Sequence, residues 1–444
     1  MIKHIRKSSI AFALVSSLAL FSACGIDNTD ENTVSGANEF VDAVIIDDIN
    51  TSVMLQVVRG SIDENATNAF GYKAVKITYN TTNQNDEAVV ASGLLVIPTA
   101  SPEYQAYRAA MGQSPFSVSM ICENHITNFE DIEAPSNVEV PSGLPENSTA
   151  VLMSGYAGFA AVIPDYIGYG SSKDTPHPYM LKEASARDSL DMVKASIYYM
   201  EQSGVALNYQ LYISGYSQGG YTAMALAQEV EENFDSVNLM GVAPMAGPYD
   251  LEALADIEID ASNTMIYPAF LGYLADSYAY YNDEISLSDV VLEEDTQMYH
   301  NLFLGSNNNI AIHTSLGLTE NYGFGTYTAD ALFKTTLIDD YKNSINTGGV
   351  FREALVENST DDWVPQAKMN LIHCDEDEII PFSIAQDTYS SMVDNGAENI
   401  TLTSIPTDVI APATESAPLV HQRCGSTAYG AAVQWFAAIR NGDL

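Results

Sequence analysis

Short runs that are apolar on both faces alternate with amphipathic stretches along most of this chain. That alternation restricts the fold more than any other feature of the sequence. Ser117–Cys122, Phe159–Ile163, Leu211–Ser214, Leu239–Met245, Met369–Cys374 and Ile400–Ile405 read as strands. Helical spacing is clearest over Glu183–Ser203, where Ala186, Leu190, Val193, Ile197 and Met200 fall on one face and Gly204 supplies the stop. Gly220–Glu232, Ile384–Asp394 and Ala428–Arg440 are the other helices of this pattern. Strands without a polar face, separated by helices, require a parallel sheet covered on both sides, so the class is α/β. Upstream, Tyr72–Tyr79 and Val89–Ile97 flank the polar turn Asn83-Gln84-Asn85-Asp86 and form a hairpin.

The alternation stops at residue 251 and resumes only at Met369. Between them lie helix-like, Tyr- and Phe-rich segments at Met265–Tyr281, Val290–Leu304 and Ala329–Ser344. Because the sheet is incomplete at residue 250, residues 251–362 read as an insertion between two strands. The core then comprises residues 66–250 and 363–444. A chain of 444 residues with 46% apolar content can bury a core of that size. The formal charge of −41 would repel nucleic-acid phosphates, which excludes that partner and describes a solubilising surface.

At the N-terminus, Lys3, Arg6 and Lys7 precede an apolar run from Ile10 to Phe21. That run is too short for a permanent span, so residues 1–23 are expected to be a signal peptide. Ser22-Ala23-Cys24 resembles the lipobox of bacterial lipoproteins, which implies lipidation of Cys24 and an envelope location, anchored to a membrane through the lipid. Simple cleavage and release is the alternative. Residues 24–65, acidic through Asp27, Asp30, Glu31, Asp47 and Asp48, read as a tether to that anchor. In an oxidising compartment Cys122, Cys374 and Cys424 are expected to form one disulfide and leave one thiol, with three pairings open.

Gly215-Tyr216-Ser217-Gln218-Gly219 matches G-x-S-x-G, and its context is a strand ending at Ser214 and a helix opening at Gly220. A turn that tight lifts the Ser217 hydroxyl clear of the sheet, and it needs glycine on both sides because side chains there would strike neighbouring backbone. The turn also sets the Gln218 amide at a helix N-terminus, where it can stabilise an oxyanion. A serine hydroxyl needs a base, and the base needs an acid to fix its tautomer, in the chain order Ser, acid, His. Four histidines follow Ser217. His300 and His313 lie in the insertion, and His373 lies inside a strand, as a core histidine would. His421 alone follows every plausible acid, in an expected loop before the last helix. The acid belongs at the end of Met369–Cys374, where Asp375-Glu376-Asp377-Glu378 stand, the rest of that run being solvated.

These stretches resemble the α/β-hydrolase superfamily, and within it the lid-bearing secretory lipases of fungi and bacteria, from about Tyr72 to the C-terminus. Ala91 to Pro98 looks like the second strand of that family, Pro164-Asp165-Tyr166-Ile167-Gly168-Tyr169-Gly170 like its P-D-Y-x-G-x-G loop, and the insertion like its helical lid. The resemblance selects Asp377 over Asp375, since Asp377 precedes Ile379-Ile380-Pro381 much as the family's acid precedes D-x-V-V-P. It implies a Cys374–Cys424 disulfide, because the acid and base loops leave neighbouring strands. It also implies that apolar residues in 264–281 and 322–333 face Ser217.

One position departs from the pattern. Asn124-His125-Ile126-Thr127 stands where the family has His-Gly, so the second oxyanion donor falls to the Ile126 backbone amide, and His125 reads as a structural histidine. Asp165 lies too early for the acid and is expected to brace backbone.

The implied activity is hydrolysis of carboxylic esters, lipid or small acyl, through an acyl-enzyme, with no metal or cofactor. A serine peptidase on the same fold would carry a large N-terminal propeller, for which residues 24–70 are too few. A surface lipoprotein that only binds a ligand would not need Ser217, Asp377 and His421 together.

Overall fold

The computed structural model describes residues 36–137, 148–260, 263–318, 327–414 and 417–444. The leader, Cys24 and residues 322–326 of the expected lid lie outside them.

Nine strands form one sheet: β1 (Phe40–Ile49), β2 (Gly71–Thr82), β3 (Ala88–Thr99), β4 (Val118–Asn124), β5 (Ala160–Pro164), β6 (Leu207–Tyr216), β7 (Asn238–Met245), β8 (Lys368–Cys374) and β9 (Ile400–Ile405). Their order is β1-β2-β3-β5-β4-β6-β7-β8-β9. The first three pair antiparallel with their neighbours, and every pairing from β5 to β9 is parallel. The β2–β3 hairpin closes as its turn residues dictate: the Asn83 side chain accepts from the Asn85 and Glu87 amides at 2.9 and 3.0 Å, and Asp86 takes a left-handed φ of 59°.

The helices are α1 (Thr51–Ser61), α2 (Pro102–Ala110), α3 (Lys182–Gln202), α4 (Gln218–Asn233), α5 (Leu251–Glu258), α6 (Pro268–Tyr281), α7 (Leu287–Val290), α8 (Thr296–Asn301), α9 (Asn309–Ser315), α10 (Thr335–Asn343), α11 (Asn346–Asn358), α12 (Phe382–Asp394) and α13 (Val420–Asn441). Strand alternation divides the core. Met120, Cys122, Leu211, Ile213 and Leu371 pack under α3, α4 and α12. Ile121, Tyr212 and Ile372 face α1 and α13 on the other side. Helices α5–α11 connect adjacent strands β7 and β8, as an insertion would, and carry an aromatic core of their own around Tyr273, Tyr278, Tyr299 and Phe351.

Two expectations are corrected here. The tether over residues 24–65 is folded from β1 onward. β1 is a marginal strand, where acidic residues are tolerated because one edge of the sheet faces water. Asp47 even accepts from the Tyr72 hydroxyl at 2.9 Å. Asn50 then caps α1 by accepting from the Ser52 and Val53 amides, and α1 buries Met54 and Val58. The last helix begins at Val420 rather than Ala428, so His421 sits in its first turn and not in a loop. Gly425 and Gly430 weaken the helical signal of that stretch, yet Val420, Cys424, Ala428, Ala432 and Phe436 bury one stripe at four-residue spacing.

Candidate active site

Ser217 stands between the end of β6 and the first residue of α4 at φ 59° and ψ −120°, a backbone conformation that costs about 1–3 kcal/mol. Its surroundings leave little choice. A Cβ on Gly215 would lie 2.1 Å from the Gly219 carbonyl oxygen, and one on Gly219 would lie 1.8 Å from that of Asn124. The Ser217 amide donates to Met245 on β7 at 2.9 Å, and β6 is paired on both sides, so the sheet holds the turn.

The Ser217 hydroxyl donates to His421 Nε2 at 3.0 Å, and His421 Nδ1–H donates to Asp377 Oδ2 at 2.6 Å. Asp377 follows β8, and its other oxygen accepts from the Ile379 and Ile380 amides at 3.0 and 2.9 Å. Burial by itself would push the Asp377 carboxyl up. The charge of His421 and hydrogen bonds from His373 and His421 outweigh it and hold the carboxyl well below the usual carboxylate range. Asp375 is exposed to solvent and donates its amide to Ile405. His373 is fully buried, with Nε2 2.9 Å from the Ile380 carbonyl oxygen and 3.4 Å from Asp377. His300 pairs with Asp276 at 3.0 Å and His313 accepts from the Ala269 amide, both within the insertion.

Two groups at the site carried no signal in the sequence. Glu378, expected to be solvated with its neighbours, accepts from the Val420 and His421 amides at 2.8 and 3.2 Å and so fastens the first turn of α13 to the acid loop. Tyr216 donates its hydroxyl to the His421 carbonyl at 2.7 Å. Cys374 and Cys424 are joined, with Cα atoms 6.2 Å apart, and Cys122 is a buried free thiol. This bond adds a third tie between the end of β8 and the start of α13.

Ser217 and His421 open on a cavity of about 760 Å³. Phe129, Tyr267 and Phe270 make one aromatic wall, with Phe270 stacked on both others at 5.7 and 5.0 Å. Ile126 and Thr127 line the same space, and Asn308 and Asn309 approach from α9 and the loop before it. From 264–281, Tyr267 and Phe270 share this cavity with Ser217. Leu332 and Phe333 pack instead into the aromatic core of the insertion.

A sequence model of the secretory lipase family matches residues 146–443. No curated protein matches the sequence as a relative. Among solved structures, a Legionella pneumophila protein described as a hydrolase superposes with a TM-score of 0.73 at 19% identity, covering 90% of this chain and 98% of its own. The rice cell wall degrading esterase LipA from Xanthomonas oryzae, in a ligand-bound form, gives 0.70 at 21% identity over 91% and 97%. Candida antarctica lipase A gives 0.54 at 14% identity over 83% and 76%. At such identities the structures speak for the fold alone. The family match spans about two thirds of the sequence, including the elbow serine and the last helix, and the chain accordingly belongs to the secretory lipase family, as a carboxylic ester hydrolase of α/β-hydrolase fold.

Proposed function

We propose that the chain is an exported lipase or esterase working through Ser217, His421 and Asp377. The observation that carries this reading is the unbroken relay from the Ser217 hydroxyl through both ring nitrogens of His421 to a buried carboxylate, at 3.0 and 2.6 Å, on the wall of an aromatic cavity. His421 takes the Ser217 proton as the oxygen attacks the ester carbonyl, and then hands it to the departing alcohol. Asp377 holds the tautomer that leaves Nε2 free to accept, and it stabilises the imidazolium. The tetrahedral oxyanion is held by the Gln218 amide at the start of α4 and by the Ile126 amide. Water, activated by His421, then releases the acid from Ser217. The wall of Phe129, Tyr267 and Phe270 receives the acyl group.

The Lys3–Phe21 segment and Ser22-Ala23-Cys24 support export with lipid anchoring at Cys24. A Cys24→Ala variant would then leave the membrane fraction, and one that stays there rules the anchor out. Catalysis is tested with p-nitrophenyl esters of increasing chain length. Ser217→Ala should lose several orders of magnitude in kcat at every length while melting like the parent, and a phosphonate ester should label Ser217 alone. A Ser217→Ala enzyme that keeps a tenth of the parent's activity eliminates the mechanism.

A further inference from the structure

The Pro164–Gly170 loop has so far no part in the chemistry, yet it touches both sides of the oxyanion site. On one side, the Tyr166 hydroxyl donates to the His125 carbonyl at 3.1 Å. That carbonyl belongs to the same planar trans peptide as the Ile126 N–H, so holding the C=O aims the N–H in the opposite direction. The Tyr166 ring also lies 4.0 Å from that of His125.

On the other side stands His177. Its Nδ1–H donates to the Ile167 carbonyl of the loop at 2.7 Å, and its Nε2 accepts from the Gln218 side-chain amide at 2.8 Å. Both side chains of this contact are buried, Gln218 at 2% and His177 at 5% exposure, so water does not replace a lost partner. The His177 ring stacks on Tyr166 at 5.7 Å and 18°. Gly168, at φ 101°, lies so close that a Cβ there would approach the His177 Cβ to 2.7 Å.

We infer that His177 and Tyr166 are positioning residues, which together fix the two oxyanion donors, Gln218 and Ile126, against one common loop. Burial pushes the His177 imidazole down to about 3, so the ring is neutral over any working pH. With its single proton committed to Ile167, the neutral ring presents Nε2 as an acceptor, which suits the Gln218 amide and would not suit a donor-free side chain. One contact holds a peptide and the other the side chain of the residue that carries the second donor, and a shift of the loop moves both. This assignment rests on the proposed Ser217 mechanism.

The experiment compares wild type with Tyr166→Phe, which removes only one oxygen, and with His177→Phe, Gln218→Met and the double variant of the last two. Each single variant should lower kcat about tenfold or more with KM changed little, since oxyanion contacts act in the transition state. Affinity for an alkylboronic acid, whose tetrahedral adduct on the serine places an oxygen in the oxyanion site, should fall by the same factor. His177→Phe and Gln218→Met should be non-additive, because either one breaks the same bond.

The inference is overturned if Tyr166→Phe and Gln218→Met keep kcat near wild type, or if kcat falls while boronate affinity does not. It is also overturned if the two changes at the His177–Gln218 contact multiply. Should His177→Phe fail to fold, Tyr166→Phe and Gln218→Met decide the matter by the same readouts. Ser217→Ala is carried alongside. If it remains active the underlying mechanism fails, whereas an inactive Ser217→Ala beside unimpaired positioning variants sinks this inference alone.

Discussion

Breaking the Cys374–Cys424 bond should cost both stability and rate, and the structure sets the size of each. The bonded residues are 50 apart in sequence. For a loop of that length the chain-entropy relation gives about 14 cal/mol/K, or ~4 kcal/mol at 25 °C. The described residues of the folded body begin at Gly36 and end at Leu444. At about 2.1 cal/mol/K per residue its unfolding entropy is near ~0.9 kcal/mol/K, so the loss corresponds to about 5 °C in Tm. The kinetic cost follows from position. Cys374 stands three residues before Asp377, and Cys424 three after His421, so the bond spans the 2.6 Å contact between them. A misplacement of about 1 Å there would lower kcat by up to ~100-fold, and less to the extent that Glu378 still holds the helix. Calorimetry and ester kinetics on a Cys374→Ala/Cys424→Ala variant measure both effects. Thiol titration of the unreduced, denatured protein should find only Cys122 free among Cys122, Cys374 and Cys424. A variant that matches the parent in Tm and kcat, or an unreduced protein in which all three thiols titrate, refutes the reasoning.

The choice of acid is decided by exchange to amide. Asp377→Asn should lower kcat by about 10³–10⁴ because it favours the wrong His421 tautomer, while the exposed Asp375→Asn should behave as wild type, and the reverse pattern would move the acid to Asp375. Glu378→Ala removes two acceptors from the first turn of α13. It should cost about 1–2 kcal/mol of stability and lower kcat more than it raises KM, and an unchanged kcat would confine Glu378 to a capping role. Asp188 is buried against the Tyr79 hydroxyl at 2.8 Å, and burial, reinforced by Asp191, pushes its carboxyl up to about 7. A carboxyl whose folded value is raised contributes stability at low pH that is lost as pH rises from its ordinary value to about 7, so Tm should fall between about pH 4 and 7 and level off above. Asp188→Asn should flatten part of that fall, and parallel Tm profiles for parent and variant would discard the assignment.

The fold was legible where one local pattern sufficed. The strand at 118–124 and the helix at 182–202 are buried as the patterns of their residues predict, and a stop such as Gly204, at φ 72°, is written in a single residue. Residues 40–61 have the composition of a tether. What makes them structure is pairing with β2 and the burial of Met54 and Val58 beneath the sheet, and neither leaves a period in so short and acidic a stretch. The start of α13 was hidden for a related reason. Its buried stripe passes from Val420 to Phe436 through the small side chains of Cys424, Ala428 and Ala432, and it is interrupted on other faces by two glycines.

The site divides along the same line. Ser217 can be read from the sequence because the elbow is a local object: strand, strained turn and helix are contiguous, and steric contact dictates both glycines. Gly215–Gly219 states a geometry as well as a residue type. The groups that aim the machinery are different. Glu378 reaches 42 residues along the chain to the Val420 amide, and His177 reaches 41 residues to Gln218. Each acts by holding a backbone or side-chain amide at the far end of a contact that exists only once the sheet has assembled. Nothing in the types Glu, His or Tyr at those positions distinguishes a brace from a solvated side chain. The sequence displays the reacting atoms of such an enzyme because chemistry restricts which residues can carry them. It conceals the residues that place those atoms, because many side chains can brace an amide and only the folded contact determines which one does.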